Sequence, residues 1–280
     1  MTRSALPQQS VPDLHPLIAR AKAVDGQPPF SDQSLVDLRS SERSFVQIDD
    51  AYAIVGKGEA EFVVDPDARG HGLGTAMLER LIADISAGEG LLVWAHGDHP
   101  AARALAASHA LEPIRELLQL RRPAPEVPSA PELLPTSGTV ETFRVGTDED
   151  EWVALNARVF AHHPEQGSVT RADLEQLESE PWFEADDFLV LRDDSRMVGY
   201  CWLKVEDGIG EFYVVGVDPT RQGGGAGRAL MAAGFARLAE RGIRTAALYV
   251  DADNVAAVGL YRSLGFETHT IDIQYRYSAR

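Results

Sequence analysis

The run Gln222-Gly223-Gly224-Gly225-Ala226-Gly227 follows an apolar stretch and opens one with helical apolar spacing. A strand that delivers a glycine turn to a helix N-terminus gathers unpaired amide donors, and the helix dipole adds to their pull on an anion. Glycine matters because a β-carbon would hold a phosphate away from those amides. The chemistry this suits is the binding of a pyrophosphate. A second copy stands at Arg69-Gly70-His71-Gly72-Leu73-Gly74. Neither copy ends in Gly-Lys-Ser/Thr, and neither has the dinucleotide GxGxxG in an N-terminal strand-helix-strand context, so nucleotide-triphosphate and dinucleotide loops are set aside.

The elements that carry these turns are repeated. Asp65-Pro66 and Gly74 precede Asp218-Pro219 and Gly227 by 153 positions, and LLVWAHGDHPAARAL then aligns with AALYVDADNVAAVGL at a spacing of 155. An order of strand, glycine turn, helix, strand, helix in both halves marks an internal duplication. In the second half the periodicity predicts a helix over 149–160 and strands over 187–191, 198–205 and 210–217. A helix over 227–241, a strand over 245–250, a helix over 254–264 and a strand over 267–277 follow. The expected class is α/β of the α+β type, with two tandem domains, each a mixed central sheet flanked by helices. Five prolines between 121 and 139 deny the backbone its amide donors. The expected division is therefore a first domain over 1–122, a linker over 123–139 and a second domain over 140–280.

Bulk properties exclude several classes. At 280 residues the chain has the length of two domains of about 140 each. Its formal charge of −17 would repel a phosphate backbone, which argues against nucleic acid as a partner. No stretch has the roughly 20 apolar residues that span a bilayer, and the N-terminus has no apolar segment after its arginine. The single cysteine, Cys201, lies in the strand-like run GYCWLKV and reads as core. His162 and His163 have no metal-ligand partners at useful spacing, so no metal is expected. Together these point to a soluble cytoplasmic protein without metal or membrane attachment, and a monomer is the expected state.

Strand, [Gln/Arg]-x-x-Gly-x-[Gly/Ala], helix, strand and a short helix with Asn254-x-x-Ala257-x-x-x-Tyr261 resembles the GNAT acetyltransferase superfamily. The segment from Val215 to Phe266 carries every element of that superfamily's cofactor-binding half in order. FAHHPEQG (160–167), GEFYVVGVDP (210–219) and LYVDADNVAAVGLYRSLGF (248–266) resemble a tandem branch of it. That branch acetylates the cysteinyl amine of a cysteinyl-glucosaminyl-inositol. The resemblance implies acetyl-CoA as co-substrate, held by Val215, Gly216, Val217, Gln222, Gly223, Gly224, Gly225, Ala226, Gly227 and Arg228, and by Asn254, Val255, Ala256, Ala257, Val258 and Gly259. In the first half it implies Phe62, Val63, Val64, Gly70, His71, Gly72, Leu73, Gly74 and Thr75. It also implies acceptor contacts at Asp32, Glu165, Lys204, Glu211 and Tyr249. The alternatives are another small amine as acceptor, or an acetyl-CoA sensor without turnover.

Acetyl transfer to an amine needs the ammonium deprotonated, the thioester carbonyl polarised and the departing thiolate protonated. Glu211, on the strand before the turn, suits the general base, and the resemblance gives its glutamate that role. Tyr261 suits the acid, since a phenol of pKa about 10 stays protonated at neutral pH. A backbone amide near Val217, where strand pairing splays, would meet the oxyanion. Opposite Tyr261 the first half has Ala106 and opposite Asn254 it has His99, both 155 positions earlier, while in the register of the glycine turns Gly58 faces Glu211. The first half is thus expected to keep the phosphate turn and lose both acid and base.

Overall fold

The structure, a computed structural model, describes residues 13–85, 90–124, 138–161 and 166–278. Most of the proline-rich linker, and Glu165 with His162 and His163, lie outside the described residues. In chain order the elements are α1 (His15–Asp25), α2 (Asp32–Arg39), β1 (Ser44–Ile48), β2 (Ala51–Gly56), β3 (Glu59–Val64), α3 (Leu73–Ala83), β4 (Gly90–Ala95), α4 (Pro100–Ser108) and β5 (Glu112–Pro123). They continue with β6 (Thr139–Thr142), α5 (Glu149–Val159), α6 (Arg171–Glu178), β7 (Phe188–Asp193), β8 (Arg196–Glu206), β9 (Ile209–Val217), α7 (Ala226–Glu240), β10 (Thr245–Asp251), α8 (Val255–Ser263) and β11 (Glu267–Ser278).

These residues form two compact units. The first takes the described residues up to Leu118 together with Asp251–Asp253 and those from Thr270 onward; the second takes Gln119–Val250 and Asn254–His269. In the first unit β1, β2 and β3 run antiparallel, β3 and β4 pair in parallel, and the end of β11 pairs antiparallel with β4 from Ile273↔Ala95 to Ser278↔Gly90. In the second unit β6, β7, β8 and β9 run antiparallel and β10 pairs in parallel with β9. Each unit is therefore a mixed sheet containing one parallel step, as the duplicated sequence predicts.

The motifs that reveal the duplication have local causes. Asp65 and Asp218 each cap a one-turn 3-10 helix that begins at the following proline, accepting hydrogen bonds from Asp67 N and Thr220 N at 3.3 and 3.0 Å. That turn leads into the glycines. Gly72 and Gly225 sit at the N-caps of α3 and α7 with φ of +84° and +88°, a left-handed conformation that any β-carbon would strain. Beyond the cap, α7 buries Ala226, Ala229, Leu230, Gly234, Phe235 and Leu238, the i, i+3, i+4 stripe that packs a helix on a sheet.

The predicted elements of the second half all form, with ends shifted by a few residues. β6 and α6 complete that half. α6 starts in a capping box in which Thr170 accepts from Asp173 N while the Asp173 carboxylate accepts from Thr170 N. Opposite it, α5 turns Trp152 and Leu155 onto a cluster containing Phe188, Tyr200 and Trp202. Phe188 stacks on Trp202 at 4.4 Å between ring centroids, and Trp152 meets both edge-on.

Candidate active site

The site in the second unit is a gap in its sheet. β9 and β10 pair from Ile209↔Thr245 to Glu211↔Ala247, yet β9 continues to Val217 and β10 to Asp251. Past Glu211 the two strands splay, six residues before Val217, where the splay is expected from the sequence. A bulge on the other edge of β9 accompanies the splay: Trp202 faces Val214 and Leu203 faces Phe212, so Tyr213 is the extra residue. The bulge reverses which residues of β9 look to which side.

Strand parity then assigns the faces. Lys204 is directly opposite Glu211, so both side chains leave the same side of the sheet. The Lys204 ammonium sits 5.2 Å from the centre of the Trp182 ring and 3.4 Å from a Glu206 carboxylate oxygen. Such a cation–π contact is worth about 0.5–2 kcal/mol, rising with desolvation, and Lys204 is buried. Phe212, one residue along, leaves the opposite side and packs against Phe235 and Phe266. Tyr261 joins that side through an edge contact with Phe266 at 6.0 Å. Glu211 and Tyr261 thus belong to opposite faces, with the splay as the passage between them.

The environment of Tyr261 suits an acid. Burial, aided by repulsion from the Cys201 sulfur, pushes its phenol up to about 12, so it is protonated across the neutral range. Cys201 itself is fully buried, and burial drives its thiol up, which makes it inert and bears out the core reading.

The glycine turn lies at the open end of the gap. Gly223 and Gly225 have φ of +80° and +88°, and an added β-carbon at either would meet no atom within 4 Å, so the space above their backbone is open. The Gln222 side chain donates to Val217 O at 3.3 Å and ties the turn to the strand end. Asn254 caps α8, accepting from Ala257 N at 3.2 Å, while Val255 is 78% exposed in the first turn. Gly216 has a separate explanation: a β-carbon there would stand 2.5 Å from the Tyr200 ring. These residues fit a coenzyme A pyrophosphate, which needs open backbone amides and no intervening side chain. Among the described residues no group of three or more His, Cys, Asp or Glu could hold a metal, and no helix is long and apolar enough to cross a membrane.

Comparison with known proteins shows the family. The profile of the acetyltransferase (GNAT) family matches residues 45–109 and 156–266. A mycothiol acetyltransferase of Streptomyces avermitilis is 44% identical, covering 93% of this chain and 89% of the relative. One from Clavibacter michiganensis subsp. michiganensis is 46% identical over 92% and 88% of the two chains. One from Kocuria rhizophila is 41% identical over 99% and 100%. The chain belongs to the mycothiol acetyltransferase family of GNAT enzymes. Two solved structures share the fold over nearly the full length. A GCN5-related N-acetyltransferase of Sphaerobacter thermophilus has a TM-score of 0.70 at 23% identity, covering 96% of this chain and 92% of that one. A tandem GNAT protein of the clavulanic acid pathway has a TM-score of 0.69 at 15% identity, covering 95% and 93%. The chain is thus an acetyl-CoA dependent N-acetyltransferase with a duplicated fold.

Of the acceptor contacts expected for this family, Lys204, Glu211 and Tyr249 gather in the second unit. Tyr249 is two residues beyond the last β9–β10 pair, and its hydroxyl accepts a hydrogen bond from Gln119 on β5. Asp32 belongs to the first unit, where it opens α2 just after the Ser31 cap. Glu165 lies outside the described residues.

The first unit repeats the splay and corrects one expectation. Its hairpin turn, Lys57-Gly58 with φ of +54° and +79°, matches Asp207-Gly208 with +51° and +75°. Counted from these turns, Glu61, not Gly58, occupies the place of Glu211, and β3–β4 pairing ends at Glu61↔Trp94 as β9–β10 pairing ends at Glu211↔Ala247. The glycine-turn register misplaces it because the segment from hairpin to Asp-Pro is three residues longer in the second half. Ala106 does stand on α4 as Tyr261 stands on α8.

The first half has therefore kept a carboxylate at the apex, but in another setting. Glu61 accepts hydrogen bonds from Ser31 N, Ser31 Oγ and Ser34 Oγ, each at 2.7 Å. His96, in the strand position of Tyr249, holds Nε2 3.5 Å from Glu61 and Nδ1 3.1 Å from Asp272. Asp272 also accepts from Gln27 Nε2 and Gly97 N at 2.9 and 3.0 Å. Burial alone would raise the Glu61 carboxyl, yet His96 and the two serines outweigh it and hold it at about 2. Burial likewise lowers His96, and the two carboxylates more than reverse this, to about 10. Beside this triad a cleft of about 340 Å³ is lined by Val64, Gly70, Gly72, Trp94, His96 and Leu105.

The triad gives the first unit a defined pH response. A histidine raised in the fold stabilises fully below its unfolded value, near 6.5, and that contribution is lost as pH climbs through about 10. A depressed glutamate stabilises fully above about 4.5 and loses that contribution as pH falls through about 2. The two contributions are both complete between about pH 4.5 and 6.5. Calorimetric melting from pH 6 to 10 should show a decline of about 5 °C or more in the wild type. A neutral variant carrying Glu61→Gln, His96→Gln and Asp272→Asn should show a smaller one. Equal slopes in both proteins would count against an ionised triad.

Proposed function

We propose that this enzyme transfers the acetyl group of acetyl-CoA to the cysteinyl amine of 1D-myo-inositol 2-(L-cysteinylamino)-2-deoxy-alpha-D-glucopyranoside, forming mycothiol, and that the second unit carries the chemistry. The nearly full-length likeness to mycothiol acetyltransferases at 41–46% identity supports the acceptor. Glu211 at the apex of the splay supports the site. In this reading Glu211 takes a proton from the substrate ammonium, and the neutral nitrogen bonds to the acetyl carbon as the carbon–sulfur bond breaks. Tyr261 supplies a proton to the departing sulfur, and β9 backbone beyond Glu211 polarises the carbonyl. The turn amides of residues 223–227 hold the pyrophosphate. One proton is released overall, since an ammonium and a thioester become an amide and a thiol.

The first unit, with its cleft, its turn and no residue equivalent to Tyr261, holds a second acetyl-CoA without turning it over. The net charge of −17 favours a protein that avoids nucleic acid. We place it in the cytoplasm as a monomer. The deciding assay offers purified protein acetyl-CoA with the cysteinyl-glucosaminyl-inositol beside an aminoglycoside, a polyamine and a peptide amine. The proposal requires the pseudo-disaccharide to have the highest kcat/KM by a wide margin. Preference for another amine would replace the acceptor, and no turnover with any of them would leave a sensor.

A further inference from the structure

Trp182 takes no part in the chemistry above, yet it stands beside the groups that do. It comes from the loop between α6 and the one-turn helix at Ala185–Asp187. Its ring is tilted against Tyr213, the bulge residue, at 5.2 Å, and against Trp202 at 5.6 Å, and Lys204 Nζ lies 5.2 Å from its centre. Lys204 is in turn directly opposite Glu211. Trp152 and Trp202 are fully enclosed, with indole nitrogens cut off from solvent, whereas Trp182 is only partly buried. An indole is therefore packed against Tyr213 and Trp202 with part of its surface left open.

A rigid aromatic surface beside polar groups suits a sugar. One face of a pyranose or cyclitol ring presents C–H groups that lie against a π-system, while its rim of hydroxyls needs donors and acceptors. Lys204 offers donors beside the ring, and Glu211 stands opposite Lys204 on the same side of the sheet. A cysteinyl amine at Glu211 leaves the attached sugar a single residue away, about 3.8 Å of chain, on the side of the sheet where Lys204 meets Trp182. A sugarless amine would reach Glu211 without touching the indole.

We infer that Trp182 is the platform on which the sugar part of the acceptor rests, and that it makes the enzyme selective for a glycosylated amine. This rests on the acceptor proposed above. The test compares kcat/KM for the cysteinyl-glucosaminyl-inositol with that for cysteine amide, which lacks the sugar, in the full-length wild type, Trp182→Leu and Trp182→Phe. In Trp182→Leu the ratio should fall at least tenfold, mainly through KM for the pseudo-disaccharide; Trp182→Phe, which keeps an aromatic face, should retain most of it. A purely structural tryptophan would lower both acceptors together and leave the ratio unchanged, which overturns the inference. Should Trp182→Leu fail to fold, Trp182→Phe and Trp182→Tyr against a non-aromatic Trp182→Met decide by the same ratio. A wild type with no preference for the sugar-bearing amine would instead remove the acceptor proposal on which the inference stands.

Discussion

Glu211→Gln lowers turnover by about two to four orders of magnitude if the carboxylate is the base, because glutamine preserves the shape of the side chain and cannot accept the proton. Acetyl-CoA affinity should be unaffected. Glu211 leaves the sheet with Lys204, whereas Tyr261 packs on the opposite face with Phe266 and Phe212. A loss mainly in kcat, with a smaller rise in KM for the acceptor that Glu211 also helps hold, and calorimetric titration of acetyl-CoA matching the wild type, is the expected pattern. Tyr261→Phe should lose less. A thiolate is a fair leaving group, and a phenol raised to about 12 is a weak acid that speeds its departure only partly. Wild-type rates in Glu211→Gln across neutral pH would remove the glutamate from the mechanism and leave deprotonation to solvent.

The glycine turns, the Asp-Pro corners and the helix stripe of α7 could be read from residue order because each is a local device. Gly225 must adopt a positive φ, Asp218 must cap the turn after it, and both needs are met within a few positions. The apex of the first unit could not be read that way. Its equivalence to the second depends on a strand that is three residues longer in one copy, so matching the glycines displaced Glu61 from its true counterpart. His96 and Asp272 lie 176 residues apart and meet only because β11 returns to pair with β4.

The same distinction explains which parts of the candidate site stayed hidden. Lys204 and Glu211 could be named separately by resemblance, but their apposition follows from antiparallel register around a bulge at Tyr213. Trp182 gave no signal, since a tryptophan in a loop has no periodicity to assign its direction. α6 did carry one: Thr170 and Asp173 have the spacing of a capping box. β6, only four residues long, offers too short an alternation to be told from a loop. What separates the two copies is the partner each apex carboxylate has. In the first unit a histidine and two hydroxyls contact it; in the second a lysine stands opposite it in the strand register.

The proposed division of roles makes the two glycine turns unequal, and paired substitutions measure it. Valine at Gly225 and Gly227 would force a β-branched side chain into a left-handed N-cap and fill the space over the amides, where nothing now lies within 4 Å of Gly225. At Gly227 the new side chain would also press on Leu260, already 3.4 Å from an ideal β-carbon. Turnover should be abolished, and calorimetric titration should show one acetyl-CoA site fewer. The matched change at Gly72 and Gly74 meets the same left-handed cap, with Leu105 at 3.7 Å from the second position. It should remove the other site while leaving most of the turnover, because the first unit has Ala106 where the acid would stand and a Glu61 bound to His96 where the base would stand. Melting temperatures of both variants, measured without cofactor, separate lost binding from a strained turn that destabilises its own unit. If the Gly72/Gly74 variant lost turnover at an unchanged melting temperature while the Gly225/Gly227 variant kept it, the chemistry would belong to the first unit and the triad of Glu61, His96 and Asp272 would be its machinery.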